Sequence, residues 1–578
     1  MKKTIRSTLC ICLILLACAL MFAGCASGTT DTDPEKDPSQ TKPSSSSNMD
    51  PTGGSVGAHT HEFGQWAVVT PTSCTQDGLQ ERSCSCGEKE QRTDPSTGHI
   101  PGEWIVFQDP SATEAGMKHQ YCLICETLLS TEVIPATAAT GLSYRINDDG
   151  VTCTVTGIGT CTDTQLFIGG TIDGYTVTAI GAWAFEGCSL RSVTISDSVT
   201  EIGYGAFSAC SNLTDITLPR GITIIPNSAF SHCTSLKTIV IPENVTMIDY
   251  NAFNDCTALC SIVIPDKVTY IATVAFHNCT ALTDITISDN VTYIGENVFE
   301  NSGYYNNAAN WENDVLYIGN HVVAARETIS GDCVIKAGTK TICSWAFRDC
   351  IGLTGITIPD GLITIGEGAF HDCVGLDNIS IPDSIRYMGS YVFYNTRYYN
   401  NDANWNDFVL YVGNHLVAAK DIISGHYEVK NGTQTIGDGA FSYCSNLTGI
   451  TIAAGVTYIG SRAFSHCSSL QSVDLPDTIT YIGEYAFDNC SDLETINLPD
   501  SVTHIGDCAF QHCSSLTAIT IPGGVTHLGY GMFFRCSSLA QIHFTGTKAQ
   551  WEAIVKEDGW DNRTGIYVVH CTDGDITK

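Results

Sequence analysis

The repeating unit of the chain is clearest in residues 236–247, LKTIVIPENVTM, and in residues 248–256, IDYNAFNDC, which follow directly. Closely similar segments recur along most of the sequence, with the consensus L-x-x-I-x-I-P-x-x-V-x-x-I-G-x-x-A-F-x-x-C. Eleven of the thirteen intervals between the phenylalanines of this consensus are 22 or 23 residues, and the other two are 48. These phenylalanines are Phe185, Phe207, Phe230, Phe253, Phe276, Phe299, Phe347, Phe370, Phe393, Phe441, Phe464, Phe487, Phe510 and Phe533.

The regular spacing predicts a solenoid. A fixed period of about 20–29 residues, with leucine and isoleucine at constant offsets, is typical of leucine-rich repeats. One unit cannot bury its own apolar face, so it is stable only when it stacks on its neighbours. We therefore expect an α/β-solenoid, mostly β and right-handed. In each unit the I-x-I-P segment should be a strand of a parallel sheet, V-x-x-I-G should return the chain beneath it, and A-F-x-x-C should form a corner.

The same residues resemble the BspA-like leucine-rich repeats of bacterial surface proteins, in which I-P-x-x-V-x-x-I-G-x-x-A-F-x-x-C is the recurring core. The resemblance covers about residues 175–536. It implies a cell-surface interaction protein, with adhesion to host or bacterial proteins as the activity usually attached to the family. The periodicity by itself indicates only the solenoid.

Composition divides the chain into six predicted segments. They are a signal peptide at 1–24, a lipid anchor with a disordered linker at 25–58, a two-copy Cys/His-rich module at 59–138, a β N-terminal cap at 139–179, the solenoid at 180–543 and a C-terminal cap at 544–578. Insertions are expected near 301–340 and 395–434, where the intervals of 48 residues occur. The linker is rich in Ser, Thr and Pro, so it has little to bury.

The first 25 residues predict export and anchoring. Three basic residues precede an apolar run, which is the pattern of a signal peptide. The run ends in Phe-Ala-Gly-Cys25, which looks like a bacterial lipobox, where the cysteine is diacylated after cleavage. Two acyl chains are what stable anchoring needs. We expect the protein on the extracellular face of a bacterial membrane, or secreted if the lipobox is not used.

The charge of the chain narrows the range of partners. Sixty-one acidic residues against 28 basic ones give a formal net charge of −33. Such a surface repels nucleic acid and anionic lipid. We therefore expect extracellular proteins or glycans as partners, a membrane contact through the lipid anchor alone, and no nucleic acid.

The Cys/His-rich module repeats with a period of 38 residues. Cys84 matches Cys122 at this offset, and the two copies contain Cys84-x-Cys86 and Cys122-x-x-Cys125 with histidines nearby. The pattern resembles a zinc ribbon, since Zn²⁺ takes four tetrahedral Cys or His ligands. Disulfides are the alternative in an exported protein. A structural zinc at these four cysteines and a set of disulfides both remain open; a catalytic zinc is not expected, because no HExxH motif accompanies them.

A cysteine closes the corner of most units, and these thiols are expected to form an internal ladder that hydrogen-bonds the backbone of the next corner. Disulfides are not expected, because Ser302 and Thr396 replace the cysteine in two units. A Cys–His nucleophile is not expected either, because the pairing recurs in several equivalent turns. The corner cysteines are Cys188, Cys210, Cys233, Cys256, Cys279, Cys350, Cys373, Cys444, Cys467, Cys490, Cys513 and Cys536.

The exposed side of the predicted sheet is one candidate binding surface. A column of mainly small polar residues lies between the apolar strand positions, and a structural threonine ladder is the other interpretation. The column contains Thr194, Thr217, Val240, Val263, Thr286, Thr357, Ser380, Thr451, Asp474, Asn497, Thr520 and His543.

The two insertions are the other candidate surface. They match each other 94 residues apart, and both are expected to be β-hairpins that leave the solenoid where the corner cysteine is missing. Aromatic residues on protruding loops form recognition surfaces. They also give a small insertion its own core, so both roles remain open. The residues are Tyr304, Tyr305, Trp311, Tyr317, Tyr398, Tyr399, Trp405 and Tyr411.

Segments on both sides of the repeats are expected to cover the open sheet edges, because an unpaired β edge invites aggregation. Before the repeats we expect hairpins with a turn at residues 147–150, and a disulfide between Cys153 and Cys161 is possible. After them we expect a short amphipathic helix at 551–556 and a last strand at 566–571.

Together these features favour a lipid-anchored adhesion protein that binds through its solenoid. The alternative is a structural stalk that displays the Cys/His-rich module. An enzyme is not predicted, because no P-loop, Rossmann or G-x-S-x-G motif interrupts the repeat register.

Overall fold

The computed structural model describes residues 62–96, 98–99, 101–108, 116–122, 125–134, 138–557 and 559–577. The predictions for the signal peptide, Cys25 and the linker lie outside these residues. The chain divides after Thr97 into two compact units. Within the described ranges, no helix has the length and apolar character needed to cross a membrane.

The first unit contains a three-stranded antiparallel meander. Its strands pair in the order β1 (Ala67–Thr70), β2 (Gly78–Ser83) and β3 (Lys89–Asp94). The guanidinium groups of Arg82 and Arg92 each lie 4.6 Å from the centre of the Trp66 ring. Cation–π contacts therefore compensate for a core that so short a sheet cannot build.

The second unit begins with another antiparallel meander. Its strands are β4 (Pro101–Gln108), β5 (Gly116–Cys122) and β6 (Leu128–Ile134), paired in that order. The 38-residue sequence repeat is therefore also a repeat of structure.

A β cap begins the solenoid. The strands at Ser143–Ile146 and Thr152–Gly157 form the hairpin that the turn at 147–150 predicts, and the second of them pairs in parallel with the cap strand Tyr175–Ile180. The cap strands Tyr175–Ile180 and Gln165–Ile168 then pair in parallel with the first two strands of the repeats. The predicted disulfide is wrong: Cys153 is buried on β8, Cys161 lies in a loop beside Asp163, and both thiols are free. The cap strands are β7 (Ser143–Ile146), β8 (Thr152–Gly157), β9 (Gln165–Ile168), β10 (Thr171–Ile172) and β11 (Tyr175–Ile180).

The repeats form two parallel sheets, each divided into several hydrogen-bonded segments. The I-x-I segment pairs with its counterpart in the next turn, as Asp284–Thr286 does with Ser261–Val263. The x-I pair before glycine also forms a short strand, so Met247–Ile248 pairs with Tyr270–Ile271. The strands of the first block are β12 (Ser192–Ile195), β13 (Glu201–Ile202), β14 (Asp215–Thr217), β15 (Ile224–Ile225), β16 (Met247–Ile248), β17 (Ser261–Val263), β18 (Tyr270–Ile271), β19 (Asp284–Thr286) and β20 (Tyr293–Ile294).

Stacked phenylalanine rings fill the corners. Consecutive ring centres lie 4.9–6.0 Å apart, in three runs: Phe185 to Phe299, Phe347 to Phe393 and Phe441 to Phe533. All fourteen rings are buried. Burying one such side chain contributes about 1.5–3 kcal/mol, and because the rings touch only the turns above and below, each turn depends on its neighbours. The predicted solenoid is confirmed.

The first insertion is a turn of the solenoid with a hairpin attached. Strand β23 pairs in parallel with β25 (Thr341–Ile342), and β24 pairs in parallel with β26 (Gly352–Thr357), so the insertion gives one strand to each sheet. The hairpin itself is confirmed, because β22 and β23 are antiparallel. The elements of this insertion are α1 (Gly303–Asn306), a 3-10 turn (Ala308–Asn310), β21 (Trp311–Glu312), β22 (Val315–Ile318), β23 (His321–Ala325) and β24 (Ser330–Val334).

Three strands follow β26 and complete the middle block of repeats. The second insertion comes next and repeats the arrangement of the first. Strand β32 pairs with β34 (Thr435–Ile436), and β33 pairs with β35 (Asn446–Thr451). The elements are β27 (Thr364–Ile365), β28 (Asn378–Ser380), β29 (Tyr387–Met388), α2 (Arg397–Asn400), a 3-10 turn (Asp402–Asn404), β30 (Trp405–Asn406), β31 (Val409–Val412), β32 (His415–Ala419) and β33 (Ser424–Glu428).

The last block ends in a cap that extends both sheets. Helix α3 begins earlier than predicted, because Thr547 and Gln550 form a capping box. Strand β44 pairs with β42, β45 pairs with β43, and β46 folds back antiparallel. The elements are β36 (Tyr458–Ile459), β37 (Ser472–Asp474), β38 (Tyr481–Ile482), β39 (Thr495–Asn497), β40 (His504–Ile505), β41 (Ala518–Ile521), β42 (His527–Leu528), β43 (Gln541–Phe544), α3 (Lys548–Ala553), β44 (Val555–Lys556), β45 (Val568–Cys571) and β46 (Gly574–Thr577).

Candidate functional site

The outward column of the first sheet is exposed over most of its length. Val240 and Val263 are the most accessible apolar residues in it, at 82% and 63% exposure. On the strands of this column, a Cβ atom at Gly355 would lie 2.5 Å from Asp332 Oδ1, and one at Gly449 would lie 2.5 Å from His426 Nδ1. Each insertion therefore places one polar side chain directly against a glycine of this face.

The corner cysteines form a thiol ladder. Cys256 Sγ donates to the Phe230 carbonyl at 3.1 Å, and that carbonyl also accepts the Cys233 backbone N–H. Bonds of 3.0–3.2 Å recur in eight other turns, each to the phenylalanine of the preceding corner and not of the next one. Burial raises the pKa of Cys210 and Cys279 to about 12. The thiols are therefore structural donors and poor nucleophiles.

The histidines that precede some of these cysteines face solvent. His232 Nδ1 lies 3.2 Å from Asp255 Oδ2 of the next turn, while the adjacent Cys233 points inward to the Phe207 carbonyl. His466 stacks on Tyr443 with ring centres 4.6 Å apart. The structure therefore does not bring these thiols and imidazoles together as a nucleophile and base.

The predicted binding residues of the first insertion pack against one another. The corner residue Ser302 accepts the Tyr305 N–H at 3.1 Å as the N-cap of α1, which explains why the chain turns away where the cysteine is missing. Tyr304 Oη donates to the Tyr317 carbonyl at 3.0 Å, and Trp311 Nε1 donates to the Tyr305 carbonyl at 2.8 Å. All four aromatic rings are half-buried.

The second insertion has the same contacts. Tyr398 Oη donates to the Tyr411 carbonyl at 3.0 Å, and Trp405 Nε1 donates to the Tyr399 carbonyl at 2.7 Å. Thr396 caps α2 as Ser302 caps α1. Burial raises the pKa of the Tyr398 and Tyr399 phenols. These aromatic residues therefore form the core of each insertion, and only part of each ring is accessible.

Basic side chains cover several of these rings. Arg326 lies 4.4 Å from the centre of the Trp311 ring, and Lys420 lies 4.8 Å from that of Trp405. Lys336 lies 5.7 Å from the centre of the Tyr317 ring, and Lys430 lies 5.7 Å from that of Tyr411. Each insertion thus provides its own cations for its aromatic faces.

A buried histidine attaches each insertion to the solenoid, which the sequence reasoning missed. His321 contacts Thr341 Oγ1 through Nδ1 at 2.7 Å and the Ser288 carbonyl through Nε2 at 3.1 Å. A carbonyl can only accept, so Nε2 carries the hydrogen and Nδ1 accepts from the threonine. His415 makes the same two contacts in the second insertion. The signal available in the sequence was the shared G-N-H tripeptide.

The predicted zinc ligands lie at hairpin tips. Cys84 and Cys86 lie in the turn between β2 and β3. The Cys86 thiol is hydrogen-bonded to Cys84, and this bond raises the pKa of Cys86. In the second meander Cys125 Sγ lies 3.4 Å from His99 Nδ1, and the ligand atoms of His99, Cys122 and Cys125 lie within 4.8 Å of one another. Two thiols and an imidazole at this separation fit three of the four positions around a structural zinc.

Comparison with known proteins decides the family. A model of the BspA type leucine-rich repeat region matches residues 178–306, 247–330, 326–418 and 434–553, which is more than half of the chain. The chain belongs to this BspA-type family. The resemblance seen in the sequence is thereby confirmed. Proteins with BspA-type repeats are typically found at the cell surface, generally interact with other proteins and are typically non-catalytic.

Solved structures include other proteins with leucine-rich repeats. A leucine-rich cell surface protein from Faecalibacterium prausnitzii is 26% identical, with 73% of this BspA-type chain and 97% of that chain covered and a TM-score of 0.28. A leucine-rich repeat protein from Bacteroides ovatus is 24% identical, with 74% and 98% covered and a TM-score of 0.28. The pneumococcal vaccine antigen PcpA is 15% identical, with 80% and 98% covered and a TM-score of 0.25. No curated protein matches the chain.

Proposed function

We propose that the chain is an adhesion protein that binds extracellular proteins or glycans through the outer surface of its solenoid. A diacylated Cys25 would hold it on the extracellular face of a bacterial membrane, and the Ser/Thr/Pro-rich linker would keep the solenoid clear of that surface. The net charge of −33 favours partners that are not polyanions.

The observation that carries this proposal is the contrast between the inside and the outside of the turns. The buried corner position is phenylalanine in every unit, whereas the outward strand position is threonine in six turns and Val, Ser, Asp, Asn or His in the other six. A residue that only supported the stack would be repeated, as the phenylalanine is. Varied residues on a constant frame are what a recognition surface requires, and a threonine ladder accounts for only half of the column.

The insertions extend the proposed surface. Their aromatic rings pack internally and keep part of each ring accessible, as described for Tyr304, Tyr305, Trp311 and Tyr317. Half-buried rings in fixed positions lose little entropy when they contact a partner. We propose that both roles, packing and contact, are combined in these side chains and in their counterparts of the second insertion.

A matched pair of double variants tests the proposal. Val240→Asp with Val263→Asp changes the outward column in two adjacent turns, and Ile351→Asp with Val374→Asp makes the same chemical change on exposed corner residues of two adjacent turns. The soluble ectodomain is assayed for attachment to a panel of immobilised matrix proteins and to neighbouring bacteria. We expect the first variant to lose at least tenfold in attachment and the second to keep it.

The alternative function, a stalk that displays the Cys/His-rich module, predicts another pattern. Removal of residues 59–138 would then abolish attachment, and both double variants would attach as the parent does. That result would overturn the adhesion proposal.

A further inference from the structure

A cavity of about 140 Å³ lies where the second insertion joins the turn that follows it. Four tyrosines surround it: Tyr391 and Tyr394 from the turn before, Tyr399 from the insertion and Tyr443 from the turn after. Alanine and glycine residues form much of the rest of the lining, so no large aliphatic side chain fills the space. We call this space the tyrosine cavity.

The tyrosine rings around the cavity are inclined to one another. The Tyr391 and Tyr394 rings are nearly perpendicular at 85°, with centres 6.0 Å apart, and Tyr394 and Tyr399 are inclined at 56°, with centres 5.2 Å apart. Tyr391, Tyr394 and Tyr443 are 61%, 43% and 63% exposed. The face of a tyrosine ring is negative and attracts cations, so exposed tyrosine rings around a space are candidate cation partners.

A buried carboxyl group lines the same cavity. Asp438 is 8% exposed; its Oδ2 accepts from Tyr387 Oη at 2.6 Å, and its Oδ1 accepts from the Ser461 N–H at 2.7 Å. Burial raises the pKa of Asp438 to about 7. The nearby Arg462 is directed elsewhere, with its guanidinium 4.8 Å from the centre of the Tyr485 ring. A cation in the cavity would therefore lie among tyrosine rings and beside the Asp438 carboxyl group, and its charge would favour the ionised form of that group.

An arginine lines the equivalent space at the first insertion. The residue 94 positions before Ser442 is Arg348, and its guanidinium lies 5.4 Å from the centre of the Trp345 ring and 3.2 Å from Glu296 Oε1. The cavity there is smaller, about 90 Å³. The first junction thus contains a cation of the chain itself, whereas at the second junction serine takes the place of that arginine.

We propose that the tyrosine cavity binds an alkylammonium or guanidinium group, presented by a lysine or arginine side chain of a partner protein or carried by a small organic cation. The bound group occupies the position that the Arg348 guanidinium takes at the first junction. The proposal goes beyond the proposed function and stands without it, because a free cation tests the site directly.

The test is calorimetric titration of the ectodomain with n-butylguanidinium, n-butylammonium and the uncharged n-pentanol. We expect both cations to bind and pentanol to bind at least tenfold more weakly. Ser442→Arg gives the tyrosine cavity the arginine that the cavity of the first insertion has. This variant should abolish binding of both cations although Asp438 is unchanged. Asp438→Asn should weaken binding at least tenfold, and thermal unfolding checks that it folds.

Tyr530→Ala is the matched control, because Tyr530 is 60% exposed in another turn. It should leave the affinity for both cations unchanged. A short glycine-flanked arginine peptide distinguishes a cation on a partner protein from a small organic cation. If the peptide binds as tightly as n-butylguanidinium, the cation belongs to a protein. If the peptide is excluded, the cation is a small molecule. Equal binding of pentanol, or an unchanged affinity in the folded Ser442→Arg variant, would overturn the proposal.

Discussion

The corner cysteine connects consecutive turns through one atom. Its thiol donates to a carbonyl of the preceding turn. That carbonyl already accepts a backbone N–H from the same preceding turn, as the Phe230 carbonyl does from Cys233 while it accepts from Cys256. A carbonyl oxygen has two lone pairs, so both bonds are accommodated. The thiol is small enough to fit beside the phenylalanine stack, and its hydrogen bond removes the cost of burying a polar group.

Substitution of Cys256 tests this contribution. Cys256→Ala removes the hydrogen bond and leaves a small void, so we expect a loss of about 1–3 kcal/mol in the free energy of unfolding. Cys256→Ser keeps a donor and should lose less. Urea denaturation measures both, with Cys571→Ala at the end of the chain as the control. Equal stability of the alanine variant and the parent would show that the thiol contributes only volume.

At the scale of one element, each insertion is attached by a buried imidazole whose neutral form is favoured. Burial lowers the pKa of His321 and His415. The unfolded chain therefore binds these protons more tightly than the folded chain does. The stability that the histidines contribute is complete above the ordinary histidine pKa of about 6.5 and is lost progressively as the pH falls below it.

This attachment predicts an acid-sensitive insertion. In the parent, protection of the β22–β23 hairpin from amide hydrogen exchange should decrease as the pH falls below about 6.5, after correction for intrinsic exchange rates. His321→Gln should be less protected at neutral pH and should show a flatter pH dependence. The half-exposed His527→Gln, which lies outside both insertions, is the control. A parent hairpin whose protection is independent of pH would contradict the assignment of a neutral His321.

For the whole molecule, the 28 cysteines serve different purposes in different places. The corner thiols are internal donors, whereas Cys122 and Cys125 lie with His99 at a hairpin tip. Only the second arrangement has the mixed soft ligands that Zn²⁺ prefers.

Metal analysis of the purified protein tests whether the cysteines of the Cys/His-rich module bind zinc. We expect about one zinc per chain, with ligands from the module. Cys122→Ser should release it, and Cys571→Ser should retain it. If the module instead forms disulfides, the native protein will contain no zinc and its thiol count will rise on reduction.

The periodic residues predicted most of the fold because each one does the same thing in every turn. The phenylalanine register identified the solenoid, the three blocks and the position of both insertions. Very short elements, and contacts between residues far apart in the sequence, were harder to predict. The second sheet has strands of only two residues, such as Tyr270–Ile271, which are too short to leave a pattern. The role of His321 depends on partners that are 20 and 33 residues away.

The candidate sites were less predictable for a related reason. Tyrosine and tryptophan serve packing and recognition equally well, so composition left both roles of the insertion aromatics open. The tyrosine cavity combines residues from two turns and an insertion, and none of them departs from the repeat pattern in a way that indicates a site. A Cys153–Cys161 disulfide was possible only if both residues lay on neighbouring strands, and Cys161 lies in a loop instead.

Most turns, and each insertion, contribute one parallel strand to each sheet. Loss or duplication of a whole turn within a block would leave the turns on either side with equivalent neighbours. Length is therefore a property that unequal recombination between neighbouring gene segments can change in unit steps, with no redesign of the interior. Descendants of one ancestor could then differ in reach by a few strand spacings while they share every corner.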